Sequence, residues 1–551
     1  MKSLFICSFF LTSLGHAIAQ PSRERLPVIA RPHFRSDTFN ILKYGAVGDG
    51  ITLDTKAINA AIDACSKKGG GVVLVPGGLW LTGPLVMKNN VNLSIRADAL
   101  LLFTRDFDQY PLVKSYYAGL PSVRCQSPIS GDSLTNVAIT GAGVIDGSGD
   151  AWRPTLKKKL NESEWRKLVA SGGVVSDVPG RSVTWYPSEN AKKGSEILTD
   201  SGTIREGVTF PGYEAIKDFQ RPALLVFLNC KKVLLEGVTF KNSPSWNLHL
   251  LLCQDITIDK IHAKNPPYGQ NTDAVDLESC TRALVQNSTF EGGDDGITLK
   301  SGRDEAGRKR NVPTRDVIIR DCITYNVGSG VAIGSEMSGG VRNIFISHCS
   351  FVGSSLGIKL KTKRGRGGVV EKIYASDINM SDIQEYALVF DMFYGVLGAP
   401  KIGDEKPDPR MDPQPVTEAT PVFRDIHFRH IYCNGAEQAI FVRGLPEMPV
   451  RDVYLEDMVF KTKKGMECME ARGIHLKNIR FLPAKTDPVI GLRDAKDITL
   501  DNLATSPNTV LFLDIRGKES GNISVTHTDL STARDRVKLA PDVSPAALRL
   551  Q

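Results

Sequence analysis

Residues 271–300 read NTDAVDLESCTRALVQNSTFEGGDDGITLK, and within them Asp273 and the pair Asp294-Asp295 recur at an interval of about 22 residues. Between them ALVQNSTF (283–290) is apolar at alternate positions, and after the pair DGITLK (295–300) alternates in the same way, which is the period of a β-strand. If one interval is one coil of stacked parallel strands, Asp273 lies beside Asp294 and Asp295 on one face, with backbones roughly 4.8 Å apart. Like charges at that range oppose ionisation, so one carboxyl keeps its proton while another remains a base. A lone Asp in such a chain reads as a corner cap bonded to the backbone. Three acids meeting at neighbouring coils, beside Gly292 and Gly293, which open the backbone to close approach, read as a catalytic wall. A protonated carboxyl for a leaving oxygen and a carboxylate to activate water are what glycoside hydrolysis needs.

Outward from that stretch the pattern repeats. VLLEGVTF begins at Val233, ITIDKIHA at Ile256, VIIRDCIT at Val317, IFISHCSF at Ile344 and IYASDINM at Ile373, and the series continues from Ile426, Val453, Ile474, Ile498 and Ile523. Starts fall 21 to 34 residues apart except for one longer interval before Ile426. Short Ile/Val/Thr-rich strands, a polar corner in each and a period in the twenties predict an all-β parallel solenoid, in which a coil buries its inward face only by stacking on its neighbours. The leucine-rich alternative lacks its Leu/Asn consensus. Residues 55–67 (TKAINAAIDACSK) have helical spacing at Ala57, Ile58, Ala61, Ile62 and Cys65, and are expected to cap the open N-terminal end.

Residues 1–19 carry one charge, Lys2, then an apolar run and Ala17-Ile18-Ala19, the pattern of a secretory leader cut before Gln20. This implies a secreted or periplasmic protein. Residues 20–39 form a lead-in, 40–530 a single domain and 531–551 a C-terminal tail. Two insertions break the rhythm, about 150–220 with Trp152, Trp165 and Trp185, and about 395–421, rich in Pro and charge. They are expected either to wall off one end of a cleft or to decorate the surface. No segment after the leader is apolar enough to span a membrane.

The formal charge of +7 is concentrated in 359–366 (KLKTKRGR) and Arg308-Lys309-Arg310, which suits an acidic polymer. The absence of interleaved aromatics argues against nucleic acid. Nine cysteines remain after the leader, with no close-set CxxC or Cys/His group. No metal or other cofactor is expected, and Cys322 and Cys349, at equivalent strand positions, read as stacked interior side chains.

NTD (271–273) followed by GDD (293–295) resembles the polygalacturonase family of glycoside hydrolases. NSPSWNLHLLLC (242–253), GSEMSGGVRN (334–343), KLKTKRGRGG (359–368) and the opening segments 44–65 and 69–85 are similar to that family in the same order. The resemblance covers roughly 40–530. It implies a right-handed parallel β-helix with an N-terminal capping helix and loop insertions, acting as a monomeric hydrolase on acidic pectic polysaccharide, by inversion.

By that resemblance Asp294 is the general acid, and Asp273 and Asp295 hold and deprotonate water, with Asp276 a weaker candidate. Inversion asks for carboxyls roughly 6.5–9.5 Å apart. Lys359 and Lys361 stand where the family has Arg-x-Lys for the uronate; lysine neutralises a carboxylate without arginine's bidentate fork. Asn271 belongs to the same wall, and Trp246 and His249 are candidates to face a sugar or to lie in the core. A family Gly-His-Gly turn falls near 327–330 (VGSG), which has no histidine. The expected activity is exo-acting hydrolysis of galacturonic-acid-containing pectin. Rhamnogalacturonan hydrolysis or a galacturonidase is the near alternative, and a lyase or a non-catalytic carbohydrate-binding solenoid the distant ones.

Overall fold

The computed structural model describes residues 26–178, 180–197, 209–396, 398–399 and 409–551; the leader read at 1–19 lies outside them. Among the described residues 36 strands join in one sheet. The repeat becomes a parallel ladder: Val233 pairs with Ile256, Ile256 with Ala283 and Ala283 with Val317. The register then runs through Ile344, Ile373, Ile426, Val453, Ile474 and Ile498 to Ile523. A second ladder carries Leu248, Val275, Ile297, Val331 and Ile358, and a third Phe240, Ala263, Phe290 and Thr324. Successive coils thus supply one strand to each of three faces, which is a parallel β-helix.

Alternation explains the core. Val275, Leu277, Ile297 and Leu299 point inward and are fully buried, each such side chain stabilising the fold by about 1.5–3 kcal/mol. The corners explain most of the Asp and Asn. Asn136, Asp255, Asp316, Asn343, Asp425, Asp452, Asp497 and Asn522, each the residue before a start in the first ladder, have φ between 51° and 60°. Asn and Asp tolerate this left-handed conformation. Their side chains bond coil to coil, as Asn343 does to Asp316 at 2.9 Å and Asn522 to Asp497 at 2.8 Å. The nine cysteines from Cys65 to Cys468 are all buried and free. Cys322 and Cys349 each donate to a carbonyl two residues back at 3.2 Å, as interior thiols do.

The helix α1 (Thr55–Lys67) buries Ile58, Ala61, Ile62 and Cys65 against the first coils. At the other end the reading of 531–551 as a tail is corrected. Ala533–Leu539 and Leu548–Leu550 pair in parallel with Thr509–Arg516 and Gly521–Thr526. A terminal coil has one neighbour only, so its outward positions carry charge (ARDRVKL) and the alternation is hard to see. The lead-in lies across the first ladder, where Arg31 bonds Glu236 at 3.1 Å and Ala30 N donates to Asp255 at 3.3 Å.

The insertion 150–220 contains a small antiparallel sheet of Thr155–Leu156, Val174–Ser176 and Thr184–Tyr186. Its helix, Glu162–Ala170, starts where Asn161 and Glu164 form a capping box. An element absent from the sequence reading is the antiparallel hairpin of Leu112–Tyr117 and Leu120–Cys125. Its turn, Ala118-Gly119, has φ of 48° and 80°, the positive pair of a two-residue hairpin.

Candidate active site

Asp273 and Asp295 each stand two residues before register partners, Val275 and Ile297, so they are neighbours in one column across adjacent coils. Backbone bonds from Ala274 N to Asp295 O and from Val275 N to Gly296 O, both 3.0 Å, fix that adjacency. Asp294 accepts from Asp295 N at 3.0 Å. One oxygen from each of the three carboxyls lies within 4.8 Å of the others. These oxygens are closer than the roughly 6.5–9.5 Å that inversion asks of the two carboxyl groups, at about the interstrand spacing. Gly292 and Gly293 have a different use from the one read in the sequence. A Cβ on Gly293 would stand 2.2 Å from Gly269 O and one on Gly292 2.9 Å from Thr272 O, so it is the protein's own turn that approaches, locked by Gly293 N on Thr272 Oγ1 at 3.1 Å.

Lysines on later coils balance the acids. Lys300 reaches Asp276 at 2.5 Å and Asp273 at 3.2 Å, and Lys361 reaches Asp295 at 2.7 Å. Lys300 was missed in the sequence, although DGITLK puts it three outward positions after Asp294 on the catalytic strand. Asp276 is fully buried and also accepts from Thr298 at 2.5 Å, which makes it part of the supporting network. Lys361 can lean back to Asp295 because the intervening coil presents only Ser329, Ala332 and Gly334 in the outward columns. Ser329 also occupies the neighbourhood of the absent histidine, next to Gly328, whose Cβ would lie 3.1 Å from Asp295 Oδ1.

Burial raises the Asp294 carboxyl above the usual range, and the Asp295 charge adds to it. Burial also raises Asp273, with Lys300 opposing. For Asp295 burial acts upward too, but Lys361 and Lys359 overcome it and hold the group below the usual range. Burial pushes the Lys359 amine down, and the neighbouring Lys361 charge adds to this. Four carboxyls, Asp273, Asp276, Asp294 and Asp295, therefore face Lys300, Lys359 and Lys361, with Glu336 also acting on Lys300 and Asp391 on Lys359. Among the described residues Asp294 is the one of the four with no lysine in ion-pair contact. The oxygens are close enough to share a cation, but the two ammoniums already take that place at Asp273 and Asp295.

Of the other candidates, Asn271 is exposed at the rim and accepts from Arg221 at 3.1 Å. Lys359 is half-buried beside Tyr394, whose ring centroid lies 5.0 Å away. Trp246 and His249 do not present a free face to a sugar. Trp246 is stacked under Tyr117 of the hairpin at 4.9 Å, and Lys300 lies 3.8 Å from its ring centroid. His249 is buried on Glu278 at 3.1 Å, and Glu278 in turn binds Arg310 at 2.6 Å. The basic stretches are likewise largely committed, Arg364 to Glu447 at 2.7 Å, Arg366 to Asp304 at 2.5 Å and Arg308 to Gly365 O at 2.7 Å.

The family model "Glycosyl hydrolases family 28" matches residues 212–401, and "Rhamnogalacturonase A/epimerase, pectate lyase-like" matches residues 38–94. A probable polygalacturonase of Vitis vinifera is 29% identical over 455 residues, 80% of this chain and 78% of that protein. The crystal structure of a hyperthermoactive exopolygalacturonase from Thermotoga maritima superposes with a TM-score of 0.61 at 28% identity, covering 80% of this chain and 89% of that one. A family 28 exopolygalacturonase of Yersinia enterocolitica, at 18% identity, shares the fold with a TM-score of 0.60 over 93% of this chain and 79% of its own. The first family match spans the acid cluster and both lysines of 359–361, and over that stretch the chain is similar to family 28 of the glycoside hydrolases.

Proposed function

We propose that the enzyme hydrolyses galacturonosyl bonds of pectic polysaccharide and removes units from chain ends. The observation that carries this reading is the pairing within the cluster: among the described residues Asp294 has no lysine partner, while Asp295 and Asp273 are tied to Lys361 and Lys300, and burial raises both Asp294 and Asp273. Asp294 donates its proton to the leaving glycosidic oxygen. Water seated between Asp273 and Asp295 gives up a proton to that pair as its oxygen bonds the anomeric carbon. A lysine on each of these two carboxylates reduces its power to attack carbon itself, which favours water and hence inversion, despite the short separation.

Lys359 supplies the charge for the substrate carboxylate; burial and the Lys361 charge weigh against its charged form, and a further anion weighs for it. Lys359→Met is expected to raise KM on polygalacturonate by about 10–100-fold, the equivalent of about 1.5–3 kcal/mol for a charge-assisted bond, with kcat little changed. Initial-rate kinetics on both parameters checks it.

The exo mode is supported by the hairpin. Tyr117 covers Trp246 one coil before Asp273, and Tyr116 lies 5.2 Å from the Arg310 guanidinium, so the cleft meets a wall close to the acids. The leader-like residues 1–19 support an extracellular or periplasmic location. The test is product analysis on polygalacturonate and rhamnogalacturonan oligosaccharides with early proton NMR. Monogalacturonate of inverted anomeric configuration is expected. Unsaturated products, retention, or release from rhamnogalacturonan alone would each overturn the corresponding part of the reading.

A further inference from the structure

Beyond the lysines the same face of the solenoid opens a second time. Lys359 continues in register through Val389, Phe441, Glu467 and Gly491 to Asp514. Around the last three of these lies a pocket of about 210 Å³, lined also by Gln438, Lys464 and Lys485. The hollow exists because Gly491, in an outward position, carries no side chain between Glu467 and Asp514. Its centre is four coils from Lys359, about 19 Å at the interstrand spacing.

Two features mark it as a built site. Asp514 is 6% exposed, and although Arg516 Nε holds its Oδ2 at 2.8 Å, its Oδ1 has no hydrogen-bond partner. A buried acceptor left in that state costs about 1–3 kcal/mol, which a hydroxyl donor removes. Lys464 and Lys485 stand at the rim with no ion pair among the described residues, beside Glu467 and Asp487 of the same lining and within electrostatic reach of Glu437, to which the adjacent Lys463 is bound at 2.9 Å. Between Lys359 and the pocket Leu356, Val389 and Phe441 are buried together beside Tyr386, with the Arg443 guanidinium 5.1 Å from the Phe441 ring centroid.

We propose that this pocket is a distal subsite for one hexuronate unit of the same galacturonan chain whose end occupies the acid cluster. Lys464 and Lys485 take its carboxylate and Asp514 Oδ1 accepts from a ring hydroxyl. This rests on the reading of galacturonan as substrate. A chain held at both places gains from the tether, since the second contact forms at high effective concentration, and a galacturonate dimer is too short to reach it.

The experiment compares kcat/KM for oligogalacturonates of two to ten units in the wild type, Lys464→Ala and Asp514→Asn. The decamer-to-dimer ratio is expected to fall about 10-fold in each variant, about 1.4 kcal/mol. An unchanged ratio in both, or an equal loss at every length, overturns the subsite. Calorimetric binding of the same oligomers to Asp294→Asn, with and without Lys464→Ala, separates the two readings. If the wild type hydrolyses no galacturonan, the substrate assignment fails, and a decamer affinity insensitive to Lys464 then overturns the subsite as well.

Discussion

Asp294→Asn is expected to lower kcat on polygalacturonate by about 10²–10⁴-fold, the usual contribution of a positioned acid, while leaving KM and thermal stability nearly unchanged. The amide oxygen of Asn can still accept from Asp295 N, as Asp294 Oδ1 does at 3.0 Å, so the turn keeps its bond and only the transferable proton is lost. Release of reducing ends and a thermal unfolding curve measured on the same preparation check both halves. The wild-type pH profile carries the same signature. Because burial and Asp295 raise Asp294, activity is expected to fall on the alkaline side as pH rises through that raised value, and this limb should be missing from the residual activity of the variant. Full activity in Asp294→Asn would remove it from the acid role.

Lys361→Met is expected to be the most destabilising single change in the site. The ammonium lies 2.7 Å from Asp295, both are buried, and among the described residues no second ion pair reaches Asp295. Removing one member of such a pair costs about 3–5 kcal/mol. The sign of its pH dependence follows from Asp295, whose folded carboxyl is held below the unfolded value mainly by Lys361 against the upward push of burial. A depressed carboxyl contributes stability above its unfolded pKa, near 4, and loses it as pH falls towards the folded value. The deficit of the variant is therefore expected to be full at neutral pH and to shrink below about pH 4, as measured by denaturant unfolding at several pH values. In activity the bell should move to higher pH as a whole, since Asp295 needs more alkaline solution to ionise and Asp294 loses a neighbouring cation. A deficit independent of pH would mean that Lys361 acts by packing alone.

The solenoid was legible because its rule is local. The alternating segments beginning at Val233, Ile256 and Ile344 became register partners in the ladder, and α1 kept the bounds that its apolar spacing suggested. Asp273 and Asp295 were placed side by side by their interval alone. What was hidden depends on contacts between coils or between remote loops. Nothing in 359–361 says that Lys361 turns back two coils to an acid while Lys359 stays in the cleft; that follows from the small residues Ser329, Ala332 and Gly334 between them. Trp246 looked available for a sugar because the hairpin that covers it lies more than a hundred residues earlier, marked only by the Ala118-Gly119 turn. The C-terminal coil was lost because half of its pattern is answered by water.

The column that holds Asp273 and Asp295 also has a bearing on how such an enzyme changes over time. The gap between these two carboxylates is one rung of a hydrogen-bonded ladder, and a rung has the same height whatever hangs from its ends. Loops such as 150–220 and the hairpin at 112–125 can lengthen, shorten or be exchanged without altering that gauge. Substrate choice is thereby free to drift at the rim, while the distance between the two carboxylates is inherited unchanged from the sheet.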